Sequence, residues 1–396
     1  MMQISPETQL FIREHSSDDV RVLALQAKKY PDIDMPTAIT QIAGRKVAAE
    51  KIPSWWEIEK IWYPKHLSLE QCSSEITARY KAHLLQGDSL TDLTGGFGID
   101  CSFLATGFKS TTYVERQEEL CEIAAHNFPV LSLNHINIKN EDGVTYLQAM
   151  SPVDCLFLDP ARRNEHGGKT VAISDCEPNV AELEELLLQK ANRVMIKLSP
   201  MLDLSLALKE LKQTQEVHIL SVNNECKELL ILLGQTSPAE ISIHCVNLFT
   251  KGTQKEQHFV FTREQEQCSE CTYTDSLETY LYEPNASLLK AGAFRSIAAA
   301  YPVRKLHPNS HLYTSDTFIE NFPGRIFRIV NQCSFNKKEV KENLADLKKA
   351  NVTVRNFPAT VAELRKRIHL AEGGDTYLFA STLNNGQKVL IRCEKV

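Results

Sequence analysis

The chain has 396 residues, 43% of them hydrophobic and 24% charged, with a formal net charge of −6. That balance belongs to soluble globular proteins of two or three domains. No apolar run approaches the ~20 residues of a membrane span, and the opening MMQISPETQLF lacks the basic-then-apolar pattern of a signal peptide, so no membrane partner is expected and the expected place is the cytoplasm. The 11 cysteines, an odd number scattered through segments such as VDCLF and ISIHCVNLF, read as buried free thiols of a reducing compartment.

The first stretch, residues 1–66, reads as a helical region. SPETQLFIREH and SSDDVRVLALQAKKY each begin with a cap-type serine followed by acids, and Val20, Leu23, Ala24 and Ala27 recur at helical spacing. Pro31, Pro36, Pro53 and Pro64 punctuate the rest of this region. All three tryptophans, Trp55, Trp56 and Trp62, fall in KIPSWWEIEKIWYP, a cluster suited to docking one small domain on the next; bases can also stack on such rings.

A second domain is placed at residues 67–262. From Asp88 the texture alternates between strands and helices: SLTDL, TTYVE, INIKN, VDCLFLD, NRVMIKLS and EVHILSV are short strands at spacings that suit βαβ units and a parallel sheet. KELLILLG and ISIHCVNLF come next with little room for helices, so the sheet is expected to end in antiparallel strands. The polar TREQEQCSECTYTDSLET reads as a linker. Its Cys268 and Cys271 have CxxC spacing, but the nearest further donors, His258 and His244, lie at no recognisable ligand spacing, and no metal is expected.

Residues 275–324 read as a helical, ferredoxin-like connecting region, and residues 325–396 as a small module of strand, helix, strand, helix, strand, strand, its last two strands joined at Asn384-Asn385-Gly386. This last module carries 14 Lys/Arg against 7 Asp/Glu, a net of +7 that leaves −13 for everything before it. A basic module on an acidic body points to an anionic partner, nucleic acid before a merely solvated surface.

The chemistry concentrates at strand ends. In SLTDLTGGFGIDCSFLA a strand ends at Asp92, a turn with Gly95, Gly96 and Gly98 comes after it, and a helix begins, which admits a nucleotide-like ligand close to backbone N–H groups. The spacing is neither GxGxxG nor a P-loop. The second strand ends in Glu115, whose carboxylate can accept both hydroxyls of a ribose, and the third is followed by Asp142, placed to accept from an adenine amino group. The fourth runs as LFLDPARR into Asp159, either a working acid at a ligand-binding edge or the start of a turn.

With these words the segment from about Leu67 to Phe249 resembles the class I S-adenosylmethionine-dependent methyltransferases. Over nearly its full length the chain is similar to the bacterial methyltransferase family with a C-terminal THUMP-like domain, matching in EQCSSEITARYKA, LDPARR, IKLSPML, ECKELL and ELRKRIHL. The resemblance implies an α/β fold with a Rossmann-like methyltransferase sheet, an N-terminal helical region and a small C-terminal α/β domain. It assigns S-adenosylmethionine to Asp92, Thr94, Gly96, Gly98, Glu115, Arg116, Asp142 and Gly143, and implies an RNA substrate.

Amino-methyltransferases with an Asp/Asn-Pro-Pro-aromatic motif use the acid or amide oxygen and a proline carbonyl to orient an exocyclic amine. Asp159 and Pro160 keep that capacity as the catalytic pair, although Ala161 and Arg162 replace the stacking aromatic. The uracil-C5 mechanism requires a cysteine after the next strand, where this chain has Leu198-Ser199-Pro200; Cys226, one strand later, reads as a buried thiol. Arg162, Arg163 and Lys197 are candidates for an anionic substrate, the arginines by bidentate contacts; each also has a plain reading as an ion-pair partner, Lys197 with Asp159. The loop NEHGGKTVAISDCEP, with Gly167-Gly168, could close over a substrate or lie inert. The expected activity is N-methylation of an RNA base. DNA or a small molecule is the alternative substrate, and a nucleic-acid-binding protein without turnover is the rival of another class.

Overall fold

The computed structural model describes residues 4–162, 172–236 and 238–396. The chain divides into two compact units, Met1–Gln215 with Leu230–Pro238, and Glu216–Leu229 with Ala239–Val396.

Among the described residues the first unit opens with six α-helices, α1 (Pro6–Glu14), α2 (Val20–Leu25), α3 (Met35–Lys51), α4 (Pro53–Trp56), α5 (His66–Gln71) and α6 (Glu75–Ala82). Ser5, Asp19 and Asp34 cap the first three by accepting from Thr8, Arg21 and Thr37 N–H groups. Prolines occupy the first turns of α1, α3 and α4, where a missing N–H leaves no bond unmade. Phe11, Leu23, Met35, Ala38 and Ile42 close a small core among α1–α3. Trp55 and Tyr63 are buried with Phe97, Ile99, Leu120 and Ile123. Trp62 stacks on His126 at 3.7 Å, and its backbone exchanges two 2.9 Å hydrogen bonds with the Asn127 side chain. Two of the three tryptophans therefore dock the helical region, as expected; Trp56 stays partly exposed beneath Arg45.

Next in the chain are β1 (Ser89–Asp92), α7 (Ile99–Ala105), β2 (Ser110–Glu115), α8 (Glu118–Val130), β3 (Ile136–Asn140), α9 (Gly143–Ala149), β4 (Val153–Leu158), β5 (Ala161–Arg162), β6 (Cys176–Glu177), α10 (Val180–Lys190), β7 (Ala191–Leu198) and α11 (Leu204–Glu210). The strand order is β7-β4-β1-β2-β3, and every pair is parallel. Cys155–Leu158 and Val194–Leu198 are buried residue after residue, the pattern of strands covered on both faces. Parallel pairing brings Asp92, Glu115, Asn140, Leu158 and Leu198 to one edge, where such sheets bind ligands. The short pair β5–β6 is antiparallel.

β8 (Thr214–Val222) and β9 (Glu225–Gly234) are joined at Asn223-Asn224, both at positive φ as tight hairpins require. In the second unit β10 (Ser242–Leu248) pairs with β11 (Glu256–Thr262), a strand not read from the sequence, antiparallel, but with β8 parallel. The expected antiparallel finish fails at that pair because β9 makes the return journey; β10 then re-enters in the direction of β8 without a crossover helix.

The segment read as a linker contains α12 (Arg263–Cys268), started by a reciprocal cap between Thr262 and Gln265. Glu266 of this helix accepts from the N–H groups of Phe294, Arg295 and Ser296, anchoring the polar stretch. Then come β12 (Tyr280–Pro284), α13 (Ala286–Ala291), α14 (Ser296–Ala300), β13 (Arg304–Lys305), β14 (Tyr313–Ser315), β15 (Gly324–Ser334), α15 (Lys337–Leu344), β16 (Asn351–Val354), α16 (Val361–Ile368), β17 (Thr376–Thr382) and β18 (Lys388–Lys395). The connecting region is thus strand as well as helix. Its β12 lies beside β15 in a seven-stranded sheet, β13-β14-β12-β15-β18-β17-β16.

Alternation along the strands separates two cores. Leu281, Phe327, Phe379 and Ile391 fill one, while Cys333, Leu378, Ala380 and Leu390 meet Leu344 of α15 and Leu364 of α16 in the other. Buried Glu283 receives Arg325 and Arg355, tying β12 to β15 and to the turn after β16. Among the described residues no helix is long and apolar enough to cross a membrane.

Candidate active site

The turn after β1 is built on backbone bonds that leave one side open. Gly95 N–H donates to Val114 O at 2.8 Å, and Gly96 N–H to Glu115 Oε2 at 2.9 Å. Gly96 has φ +55, and a Cβ there would meet nothing nearer than Thr94 O at 3.8 Å, so this face of the turn is open. Gly98, at φ +86, leads directly into α7. Gly143 serves a different need: a Cβ on it would lie 2.2 Å from Leu93 O, so only glycine lets α9 begin this close to the end of β1.

Glu115 is buried, its two oxygens fixed by the N–H groups of Gly96 and Gln117. Each carboxylate oxygen retains a further lone pair for a ligand hydroxyl. Asp142 is exposed and caps α9 through Oδ1 alone, at 3.0 Å from both Val144 N and Thr145 N. Arg116 lies at the rim in an exposed pair with Glu177, 3.3 Å apart.

Asp92 is the anomaly of the turn. Oδ1 accepts from Thr94 N–H at 2.9 Å, while buried Oδ2 has no hydrogen-bond partner among the described residues. Burial, reinforced by the charges of Asp100 and Asp159, pushes this carboxyl up to about 8. It is therefore protonated at neutral pH and would ionise readily if a cation came within reach. An orphaned acid beside an open glycine turn and an anchored second-strand carboxylate fits a ligand with a positive end and a ribose.

Asp159 sits across the same edge. Its N–H donates to Thr94 Oγ1 at 2.6 Å, joining the fourth-strand acid to the glycine turn. Its Oδ2 is 2.6 Å from Lys197 Nζ, so the ion-pair reading of Lys197 holds. Burial outweighs the pull of Lys197 and raises the Asp159 carboxyl above its usual value; the side chain is still 38% exposed, so water reaches it.

Lys197 does not stop at Asp159. Its Nζ lies 3.0 Å from Asp100 Oδ2 and 2.9 Å from Ser73 Oγ. Lys81 Nζ lies 3.0 Å from both Asp100 Oδ1 and Ser73 Oγ, and Ser73 donates to Asp100 Oδ2 at 2.7 Å. Burial opposes the charge on Asp100, yet Lys197, Lys81 and Ser73 outweigh it and hold the carboxyl well below the usual range. Sequence reasoning misses Ser73, Lys81 and Asp100 as site residues. Their signal is present, since EQCSSEITARYKA contains the first two and Asp100 is an acid in the otherwise apolar start of α7.

Pro160 is buried, and Ala161–Arg162 pair with Cys176–Glu177 through the backbone. Arg163 and Gly167-Gly168 lie outside the described residues. Burial pushes Cys226 up to about 11, which keeps it a thiol and unfits it as a nucleophile. Cys268 is exposed at the end of α12, and Cys271 half-buried.

Two family models match the chain, a ferredoxin-like domain at residues 280–323 and a THUMP domain-like module at residues 324–395. The whole chain is 34% identical to a proposed methyltransferase from Porphyromonas gingivalis W83, covering 100% of both chains with a TM-score of 0.87. An rRNA methylase from Streptococcus thermophilus aligns over 40% of this chain and 93% of its own at 14% identity and a TM-score of 0.30. A proposed methyltransferase from Streptococcus mutans, in complex with SAH, aligns over 40% and 96% at 13% identity and a TM-score of 0.30. Comparison with curated proteins returned no match. The parallel sheet with its glycine turn and edge acids is a class I methyltransferase fold. With the full-length likeness and the C-terminal match, the chain belongs to the methyltransferase family that carries a C-terminal THUMP-like domain.

Proposed function

We propose that the protein transfers a methyl group from S-adenosylmethionine to a nitrogen of a base in RNA. The observation that carries this reading is the 2.6 Å bond from Asp159 N–H to Thr94 Oγ1, which puts a candidate amine-orienting acid beside the glycine turn. S-adenosylmethionine supplies a methyl group already activated on a sulfonium, so the protein has chiefly to align and dehydrate. Glu115 would hold the ribose hydroxyls and Asp142 the adenine amine, with Thr94, Gly96 and Gly98 shaping the turn and Gly143 letting α9 approach it. Asp92 would ionise toward the cationic end, and Arg116 would border the nucleoside. Lys197 engages Asp159 Oδ2, which leaves Oδ1 and the Pro160 carbonyl to accept from an exocyclic amine; the amine's proton passes to Asp159 directly or through water. Arg162 and Arg163 would meet substrate phosphate, while Lys197, enclosed among Asp159, Asp100 and Ser73, would not.

The direct test is methyl transfer from labelled cofactor to RNA, with mass spectrometry of the nucleosides. RNA retained without label would favour a binding protein without turnover. Glu115→Ala should weaken S-adenosylmethionine binding by about 1.5–3 kcal/mol, the scale of charge-assisted hydrogen bonds. Gly96→Val should prevent it, because the added side chain enters the open face of the turn. Calorimetry on folded variants checks both, and unchanged affinity in the pair would remove the assigned cofactor site.

The C-terminal module supports RNA as the substrate. Helices α15 and α16 share one core on one face of their sheet, and Lys337, Lys338, Lys348, Lys349 and Lys366 are exposed on or beside them. Arg365 is turned inward to Ala350 O, 3.1 Å away, and Arg367 lies over the Phe335 ring at 4.1 Å. Neutralising the five lysines should weaken RNA binding and flatten its dependence on salt, by roughly 0.7–0.9 in slope for each phosphate that a lysine no longer neutralises. Cofactor affinity should not change. A salt slope equal to that of the wild type would show that RNA is held elsewhere.

A further inference from the structure

Three histidines and a glutamate gather on one face of β8, β10 and β11. Glu216 and His218 are two apart on β8 and so share a face. The parallel register sets His244 of β10 opposite His218, and the antiparallel register sets His258 of β11 one diagonal step from His244. His218 is buried, Glu216 and His244 are half-buried, and His258 is exposed.

Glu216 Oε2 lies 3.5 Å from His218 Nε2 and 3.7 Å from His244 Nε2, and one ligand atom from each residue falls within 4.8 Å of the others. Donors bonded at about 2.0–2.1 Å to a tetrahedral ion stand roughly 3.3–3.4 Å apart. The spacing around Glu216 is therefore within a few tenths of an ångström of a ligand set, by about that same measure. His244 Nδ1 is 3.2 Å from His258 Nε2. With the proton on Nδ1, this bond directs the Nε2 lone pair toward Glu216, as outer partners do for metal-bound histidines. The His218 and His244 rings stack at 4.3 Å with planes 16° apart, so a shared ion requires each to turn about its Cβ–Cγ bond. That torsion is broad and soft. Ser242 Oγ, 3.1 Å from His244 Nε2, would rotate away.

We propose that Glu216, His218 and His244 form a binding site for a late first-row divalent ion of the zinc class, with His258 positioning His244. Two imidazoles and one carboxylate suit zinc, nickel or copper better than magnesium or calcium. Three protein ligands leave one position of a tetrahedral ion to water. Spacing along the chain conceals such ligands, because they come from two strands paired in space.

The full chain, freed of metal with a chelator, should bind one equivalent of zinc in a calorimetric titration with zinc chloride. Glu216→Gln and His244→Ala should each weaken uptake by more than the ~10–100-fold that loss of an outer partner costs, and His258→Ala by about that range. The double variant Cys268→Ser/Cys271→Ser should bind zinc like the wild type. Cobalt at the site should show no thiolate band. Absence of uptake, affinity unchanged in both Glu216→Gln and His244→Ala, or uptake lost in the cysteine variant would each overturn the assignment. None of these readouts depends on methyl transfer.

Discussion

Asp159→Ala should abolish methyl transfer while leaving the fold, cofactor binding and RNA binding in place. The fold should survive because Lys197 keeps Asp100 and Ser73 as partners when Asp159 is cut back. Thr94 should keep its place too, since the bond it accepts comes from the backbone N–H of residue 159 and not from the carboxylate. The truncation removes the oxygen that would orient an amine and take its proton. Asp159→Asn separates the two roles: the amide retains one acceptor oxygen but not the base. If proton removal matters, turnover should fall by ~10²-fold or more in the asparagine variant, the range for general-base catalysis. If orientation alone matters, the asparagine variant should remain active while the alanine variant is dead. Single-turnover assays with labelled cofactor decide between them. Near-wild-type turnover by Asp159→Ala would show the acid to be a turn residue, the plain reading that LFLDPARR allows by itself.

The fold is largely legible in the sequence because its strands announce themselves locally. CLFL in β4 and VMI in β7 are apolar runs of the kind that a sheet covered on both faces absorbs, and the acids and glycines that end β1, β2 and β4 fall where parallel pairing gathers them. The illegible part depends on groups far apart in the chain. Ser73 and Lys81 precede the sheet altogether, and Lys197 meets Asp100 across 97 residues; nothing within either neighbourhood says that these groups are partners. The same holds for Arg365, whose charge looks available in ELRKRIHL but whose guanidinium turns inward to Ala350 O. The parallel pairing of β10 with β8 is hidden for a topological reason, since local pattern shows that a strand exists and not which neighbour it takes.

Two acids a few residues apart illustrate how surroundings, not residue type, set the charge at this edge. Asp92 ends β1 with no cation bonded to it among the described residues, and burial pushes its carboxyl up to about 8. Asp100, in the first turn of the following helix and just as enclosed, is ionised because two ammonium groups and a hydroxyl converge on it. Of these two acids, Asp100 is a fixed anion and Asp92 is ready to become one when a positive ligand arrives.

Replacing the fixed anion should be the most destabilising single change in the site. Asp100→Asn keeps the size of the side chain and an acceptor for Ser73, but leaves Lys81 fully enclosed and Lys197 nearly so, with Asp159 as the remaining carboxylate beside Lys197. Breaking a buried ion pair by removing one partner costs about 3–5 kcal/mol. Chemical denaturation of Asp100→Asn should show a loss of that order. Lys81→Met in the same chain should recover part of it, because the methionine takes away one of the stranded charges, and the two changes should depart from additivity by about 0.5–3 kcal/mol. The pH dependence has a definite sign. Asp100 is held below its ordinary value of 3.8, so its contribution is fully present above that pH and is lost as the pH falls through the lower value it has in the fold. The gap in stability between wild type and Asp100→Asn should therefore be flat near neutrality and narrow only below about pH 4. A gap that is small at neutral pH, or that widens in acid, would mean that the lysines are neutralised by other groups and that Asp100 does not hold the edge together.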